Sequence, residues 1–481
     1  GKTNLLRTLV LSLALTHTPE QVSVYCLDLV GGGLQALSRL PHVGGVAART
    51  DAERVRRTIE EVRGMLEHRE EVFRERGVDS MEQLRAMHAR GQVPELASAD
   101  IVLCVDGYGA LRKDFEEIEG IVGELLQRGG NYGIHVVSAM LRWNDVRMAT
   151  QSNFGQKVEL RLNNPTDSAI SRKLAETIGE GTPGRALTLG KLFAQTALPR
   201  FDGDSSTENL GEVVERAARA IDRAWEGARA PEVRVLPHRV SIRALPDKEV
   251  ESKAVPIGLD ERALEPVLLD LFERDQNLLV IGDSECGKTN LLRMIAEGLV
   301  ERYTPKEVVF AIMDPRRGLR DVVPKEYVGG YATNPRVCGG LATGVAKEME
   351  NRIPQDGMDD EIEPGSFEGP HVVVLADDYD VLTTAGQKPL NPFVPYVSNG
   401  SDIGLHFVVA RRASGASRGM YDPLVQSMRE VGSSTLLMSG DRGEGQIFPR
   451  VYASPLPAGR GKWMPRGGGN RLIQTALRDQ D

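Results

Sequence analysis

The chain has 481 residues, with Lys+Arg 59 against Asp+Glu 68, a net charge of −9, 41% apolar residues and 26% charged ones. This is globular composition and excludes wholesale disorder; at roughly 100–200 residues per domain it predicts two to four domains. No apolar run reaches the ~18–20 residues of a membrane helix, no signal-peptide pattern opens the chain, and the four cysteines (Cys26, Cys104, Cys286, Cys338) are far apart without a Cys-x-x-Cys, so neither a disulfide framework nor a zinc site is expected. The composition reads as cytosolic, and its acidic balance disfavours nucleic acid as a partner held by the overall field.

The chain opens on Gly1-Lys2-Thr3-Asn4-Leu5-Leu6-Arg7, and the same heptapeptide returns as Gly287–Arg293. Other landmarks return in the same order. Asp28 is matched by Asp314, Val43-Gly44-Gly45 by Val328-Gly329-Gly330, Asp106-Gly107-Tyr108 by Asp377-Asp378-Tyr379, Gly133-Ile134-His135 by Gly404-Leu405-His406, and Gln195–Leu198 by Gln474–Leu477. Preserved order with small insertions predicts two tandem copies of one domain, 1–230 and 258–481, joined by a Pro-rich linker over 231–257. Leu210 to Trp225 reads as an amphipathic helix, and Leu264 to Phe272 as a helix leading into a strand. Within the linker, apolar residues alternate at Val233, Val235, Val240 and Ile242, which predicts an added edge strand. The second copy carries a short apolar run, Asn277–Ile281, before its heptapeptide; nothing precedes Gly1, so the natural chain is expected to extend further at its N-terminus.

Gly282-Asp283-Ser284-Glu285-Cys286-Gly287-Lys288-Thr289-Asn290, between that run and a helix, has the glycine and lysine spacing of a phosphate-binding P-loop. Glycines let backbone amides wrap closely around phosphate, the helix N-terminus adds positive potential, Lys288 reaches the outer phosphates and the Thr289 hydroxyl ligates Mg2+. Gly1, Lys2, Thr3 and Asn4 are the first copy's remnant of the same site. Such sites need a carboxylate at the end of a neighbouring buried strand. His371–Ala376 leads to Asp377, and Ile101–Val105 to Asp106; both are near-continuous apolar runs, as a parallel strand covered on both faces requires. The following position supplies the general base, worth roughly 10²–10⁴-fold. The second copy has Asp378, a short acid, and the first has Gly107, with no side chain. The first copy is therefore expected to bind ATP and scarcely hydrolyse it, and the second to hydrolyse slowly.

The next strand end is the place of a γ-phosphate sensor. Met140-Leu141 stand there in the first copy and cannot hydrogen-bond; Arg411 and Arg412 stand there in the second, where the alternative is a solvated basic turn. His135 and His406 read as packed residues at strand starts. Arg69 and Arg352, at matched helical positions, are candidates for an arginine given to a neighbouring subunit's site, the alternative being solvent-exposed helical residues. Arg460, Lys462, Arg466 and Arg471 make the strongest basic cluster and read as a solvated tail. Asp356–Glu363 is an acidic stretch, and Cys286 reads as inert.

The Gly282–Arg293 loop, the Asp377–Asp380 strand end and the Gly404–Phe407 segment resemble FtsK/SpoIIIE-type P-loop ATPases. Asp28–Leu34 and Leu40–Val46 are more specific, and with them the whole chain resembles the tandem second and third ATPase modules of the EccC family of type VII (ESX) secretion systems. The resemblance implies an α/β fold of two tandem RecA-like, FtsK-type P-loop domains, each with a mostly parallel central sheet flanked by helices. It further implies ATP with Mg2+ as cofactors, hexameric assembly and other membrane-complex components as partners. It places the modules in the cytoplasm at the inner face of the membrane, with any anchor outside this sequence or on a partner chain. It also implies that the second copy captures the C-terminal signal of an Esx-type substrate. The competing function is a DNA translocase or conjugative coupling ATPase. Gly107, the net charge and the lack of a DNA-reading module after Asp481 disfavour it.

Overall fold

The computed structural model describes residues 1–353, 367–415, 419, 421–449 and 451–478. The chain divides into two units, Gly1–Val235 and Leu236–Asp481, inside the stretch read as a linker.

In unit 1, β1 (Val22–Asp28), β2 (Val43–Ala48), β3 (Asp100–Asp106) and β4 (Ile134–Ala139) form a parallel sheet in the order β2-β1-β3-β4. Strand parity sends successive side chains to opposite faces, and both faces are covered. Tyr25, Leu27, Leu103 and Val105 pack with Val55, Ile59 and Val62 of the Ala52–Arg76 helix, while Val24, Cys26, Val102 and Cys104 pack with Leu6, Val10 and Leu11 of the Lys2–Thr16 helix. A separate antiparallel sheet contains β5 (Val158–Leu160), β6 (Arg185–Thr188) and β7 (Phe193–Gln195). The amphipathic helix is present over Leu210–Ala224.

In unit 2, the strands are β8 (Val240–Ser241), β9 (Val255–Asp260), β10 (Pro266–Leu269), β11 (Asn277–Ile281), β12 (Val308–Met313), β13 (Val328–Ala332), β14 (His371–Ala376), β15 (Leu405–Arg411), β16 (Ser434–Met438), β17 (Gln446–Phe448), β18 (Val451–Tyr452), β19 (Arg460–Met464) and β20 (Arg471–Leu477). The main sheet runs β10-β9-β20-β19-β16-β11-β15-β14-β12-β13, parallel from β16 to β13, with β8 paired to β20. β11 joins the two halves, between β15 and β16. Residues 1–235 contain no counterpart of it, and the equivalent strands of unit 1 form two sheets. β15, between β11 and β14, is buried along its whole length, and β4 is half-exposed over most of its own.

The linker's alternation corresponds to two edge pairings. Val233 N–H donates to Gly44 O (2.9 Å) on β2, and β8 lies beside β20. The segment read as a helix from Leu264 is instead β10, antiparallel to β9. Leu264 turns the chain at φ 56, and Val267 and Leu269 are buried at alternate positions, a period of two that the short apolar run concealed. The acidic stretch Asp356–Glu363 lies outside the described residues.

His371 and His406 begin adjacent strands of unit 2. His406 Nδ1 lies 3.0 Å from Gln276 O and must donate to it, so its Nε2 accepts from His371 Nδ1 at 3.0 Å; Phe272 stacks on His371. Burial pushes His371 down to about 4 and His406 to about 3. Both folded values lie below the ordinary 6.5, so the unfolded chain takes up protons first and stability falls as pH drops below it. Unit 2 should lose about 2 kcal/mol through His406 alone between pH 6.5 and 5. Denaturant unfolding across that range should show the loss in the parent chain and a flatter profile in His406→Phe; parallel profiles would refute the assignment.

Candidate nucleotide sites

The P-loop of unit 2 leaves β11 and is pinned by three neighbouring strand ends. Gly282 N–H donates to Arg411 O (3.2 Å), Asp283 N–H to Ser439 O (2.8 Å), and Gly459 N–H to Cys286 O (2.8 Å). Gly282 has no room for a Cβ, which would fall 2.6 Å from Cys286 Sγ, and Gly287 has φ 109. Glu285, a non-glycine, is also left-handed at φ 62. Alternating left- and right-handed residues curl a backbone so that its amides converge on an anion. Lys288 is buried, and its ammonium donates to Gly282 O (2.8 Å) and Asp283 O (2.7 Å), spanning the loop. Ser284 and Glu285 are exposed at the loop's crest. Cys286 is buried beside Met438 and burial raises its thiol, which makes it a packing residue.

Thr289 Oγ1 donates to Asp377 Oδ2 at 2.6 Å, and in unit 1 Thr3 Oγ1 donates to Asp106 Oδ2, also at 2.6 Å. Burial raises both carboxyls from the ordinary value. Hydroxyl and carboxylate thus meet where a phosphate-bound Mg2+ would need them, and a cation there would offset the burial of the acid. Asn290 and Asn4 point elsewhere: Asn290 Nδ2 donates to Ala476 O (2.8 Å), and Asn4 Oδ1 accepts from Arg7 (3.2 Å). Lys2 is exposed, unlike Lys288. The loop after β1 in unit 1 and the loop after β12 in unit 2 are braced alike. Asp314 accepts from Gly318 N–H (3.0 Å) and Leu319 N–H (2.7 Å), and Arg293 Nε donates to Gly318 O (2.6 Å). Asp28 accepts from the amides of Gly31, Gly32 and Leu34, and Arg7 Nε donates to Gly33 O (2.5 Å). The identical heptapeptide ends in this arginine, a signal for the brace that the motif alone does not convey.

At the base position Asp378 adopts φ 44, donates its amide to Asp377 Oδ1 (2.9 Å) and forms an ion pair with Arg316 (3.0 Å). Gly107, at φ 102, stands there in unit 1 against Val30. Arg411 is buried, contrary to a solvated turn. Burial lowers it while Asp380 and Asp422 favour its charge. Arg412 lies by Asp380, to which its amide donates (3.0 Å). Leu141 is exposed and Met140 packs at the edge of the core.

Arg69 and Arg352 correct both sequence alternatives, because each is spent inside its own unit. Arg69, 2% exposed, donates to Ala99 O (2.8 Å), Tyr132 O (2.8 Å) and Ser98 O (2.5 Å). Arg352 donates to Pro370 O and Ile403 O, both at 3.0 Å, and lies over Phe367. Each guanidinium ties a helix to the carbonyls at the start of two strands. The C-terminal basic cluster is not a solvated tail either. Arg460 is buried on β19 against Gln474 and the carbonyls of Leu236 and Pro237, Lys462 reaches Tyr452 O, Arg471 pairs with Asp260, and only Arg466 is exposed.

A buried strand, a glycine loop, a lysine, and a threonine bonded to a strand-end aspartate define a P-loop NTPase module. The FtsK/SpoIIIE family model matches residues 1–198 and 243–353. The ESX secretion system protein EccC of Thermomonospora curvata is 42% identical over 481 residues, covering 100% of this chain and 36% of that protein. The ESX-1 secretion system protein EccCb1 of Mycolicibacterium smegmatis is 33% identical over 498 residues, covering 100% of this chain and 83% of that one. A solved structure of Thermomonospora curvata EccC, ATPases 2 and 3 in complex with a signal sequence peptide, superposes with a TM-score of 0.83 at 42% identity, over 100% of this chain and 86% of that one. The chain belongs to the FtsK/SpoIIIE family of P-loop ATPases, on its EccC branch, and spans about a third of the length of the Thermomonospora relative. Among the described residues, no helix is long and apolar enough to cross a membrane.

Replacing Arg69 by Ala should cost about 2–4 kcal/mol, because buried carbonyls lose their donor. Denaturant unfolding checks this, with nucleotide binding per folded molecule unchanged. Lost turnover at unchanged stability would restore the role in a neighbour's site.

Proposed function

We propose that the chain comprises two ATP-binding modules of a type VII secretion ATPase, and that unit 2 also captures the C-terminal signal of an Esx-type substrate and couples it to secretion. The observation that carries the peptide half is a difference between equivalent sheet edges. In unit 1 the edge strand β2 is covered by residues 230–235 of the same chain. Ala230 N–H donates to Pro41 O (2.8 Å), Val233 N–H to Gly44 O (2.9 Å), and Tyr25 Oη to Pro231 O (2.9 Å), with Val233 buried in the core. In unit 2, among the described residues, the equivalent edge, β13, leaves Val328 exposed, and Tyr331 and the neighbouring Val337 exposed at a cavity of about 730 Å³. An edge strand with open backbone and apolar pockets takes an extended peptide by strand addition. The chain's own segment on unit 1 exemplifies the occupant: two backbone bonds three residues apart and one apolar anchor, Val233. That the Thermomonospora relative was solved in complex with a signal sequence peptide supports peptide capture by such a chain.

For the nucleotide half, Lys288 and the loop amides hold the phosphates, and Thr289 with Asp377 hold Mg2+. Mg-ATP, when bound, supplies the bond that is hydrolysed. Asp378 is the base of a slow site, and unit 1, with Gly107, binds nucleotide through Lys2, Thr3 and Asp106 without cycling it. The modules work as a hexamer at the inner face of the cell membrane, with membrane components of the secretion complex as partners. These assignments rest on the named family and on motif positions.

Two measurements test the proposal. Lys288→Ala should weaken one of two sites for a fluorescent ATP analogue at least tenfold and leave the unit 1 site; two sites of unchanged affinity would place the unit 2 nucleotide elsewhere. Val337→Asp, at an exposed position, should weaken binding of an Esx-type C-terminal peptide at least tenfold while melting and ATP binding stay as in the parent. Unaltered peptide affinity would move the peptide off this edge.

A further inference from the structure

We propose that Arg316 is a brake on the ATP site of unit 2, holding the Asp378 carboxylate away from the base's task; this rests on the nucleotide-site reading above. Asp378 Oδ2 lies 3.0 Å from Arg316 Nε. A general base needs a free lone pair aimed at the attacking water. Here one carboxylate oxygen, Oδ2, is drawn toward a guanidinium, and the acid is one methylene shorter than a glutamate.

The loop that carries Arg316 is not loose. Asp314 holds the amides of Gly318 and Leu319, Arg293 holds Gly318 O, and Gly318 packs against Thr289, a Cβ there falling 2.9 Å from Thr289 Cγ2. The Arg316 backbone is thus fixed at the mouth of the site. Its side chain is 55% exposed and that of Asp378 15%, so the pair sits at the solvent boundary, where it can part without stranding a buried charge.

Unit 1 supplies an internal comparison. The residue two after the strand-end aspartate is Val30, and a Cβ on Gly107 would fall 2.7 Å from Val30 Cγ2. The same two positions face each other in both units, and their chemistry is exchanged together, Arg with Asp in unit 2 and Val with Gly in unit 1. Where there is no carboxylate to restrain, there is no cation to restrain it. Arg316 is therefore a positioning residue, acting through Asp378 and not on the phosphates.

The test uses the full chain, with ATP affinity and single-turnover hydrolysis measured separately. Arg316→Ala and Arg316→Gln should each raise the single-turnover rate at least fivefold with ATP affinity within twofold of the parent. The gain should vanish in Arg316→Ala/Asp378→Asn. Arg320→Ala, on the same loop at an exposed position, should leave the rate unchanged. A melting curve checks that each variant is folded, and the isosteric glutamine keeps the comparison should the alanine variant unfold. An unchanged or reduced rate in both arginine variants, with ATP still bound, overturns the brake; a reduced rate would make Arg316 a phosphate ligand. Failure of every variant and the parent to bind ATP overturns the nucleotide-site reading itself, and the brake with it.

Discussion

Two buried aspartates side by side at the ends of parallel strands set the terms for each unit. Asp28 and Asp106 are register partners, and Asp314 follows β12 as Asp377 follows β14. A carboxylate out of water has to be bonded, and two adjacent ones cannot share donors cheaply. The structure satisfies them separately: the first by amides of the loop that follows it, the second by the threonine of the phosphate-loop helix. Loop, helix and strand end are thereby fixed relative to one another before any nucleotide arrives.

On that shared frame the two units have diverged in chemistry while keeping geometry. Hydroxyl and carboxylate meet at 2.6 Å in both, and the arginine brace recurs at Gly33 and Gly318. What differs is the next layer. Asp378 and Gly107 share a left-handed backbone position; glycine takes it freely, whereas an aspartate there is strained. Retaining a strained carboxylate in one copy and discarding it in the other is consistent with a site that still uses the group and one that does not.

Much of this was legible in the sequence, because the signals were local. The loop motif, the apolar strands before Asp106 and Asp377, and the alternation of Val233 all depend on neighbours in the chain. The failures share one cause, a partner far away in sequence. Nothing around Arg69 foretells the carbonyls of Ala99 and Tyr132, and nothing around Arg460 foretells those of Leu236 and Pro237. A charge isolated in the sequence suggests a solvated side chain, and long-range folding buries Arg69 and Arg460. Arg316 was passed over for the same reason, since only the fold brings it to Asp378. The Leu264–Phe272 segment failed differently: with few apolar residues in a short window, periods of two and of three to four cannot be told apart.

The third donor to Asp314 links the two halves of the proposed function. In unit 1 three loop amides satisfy Asp28. The corresponding loop of unit 2 is one residue shorter and supplies two, and the remaining donor is the Tyr331 hydroxyl, 2.7 Å from Asp314 Oδ2. Burial and that carboxylate push the phenol up, which keeps it a donor. Tyr331 also lines the open edge cavity, where its unit 1 counterpart, Val46, has no hydroxyl. Tyr331 thus touches both the edge cavity and the carboxylate that braces the loop of Arg316. Unit 1, whose edge is covered by its own chain, has neither the tyrosine nor the arginine nor the acid. Among the described residues, the tyrosine, the arginine and the acid thus occur together in unit 2, where the β13 edge leaves Tyr331 exposed, and are missing together from unit 1, where β2 is covered by the chain's own segment.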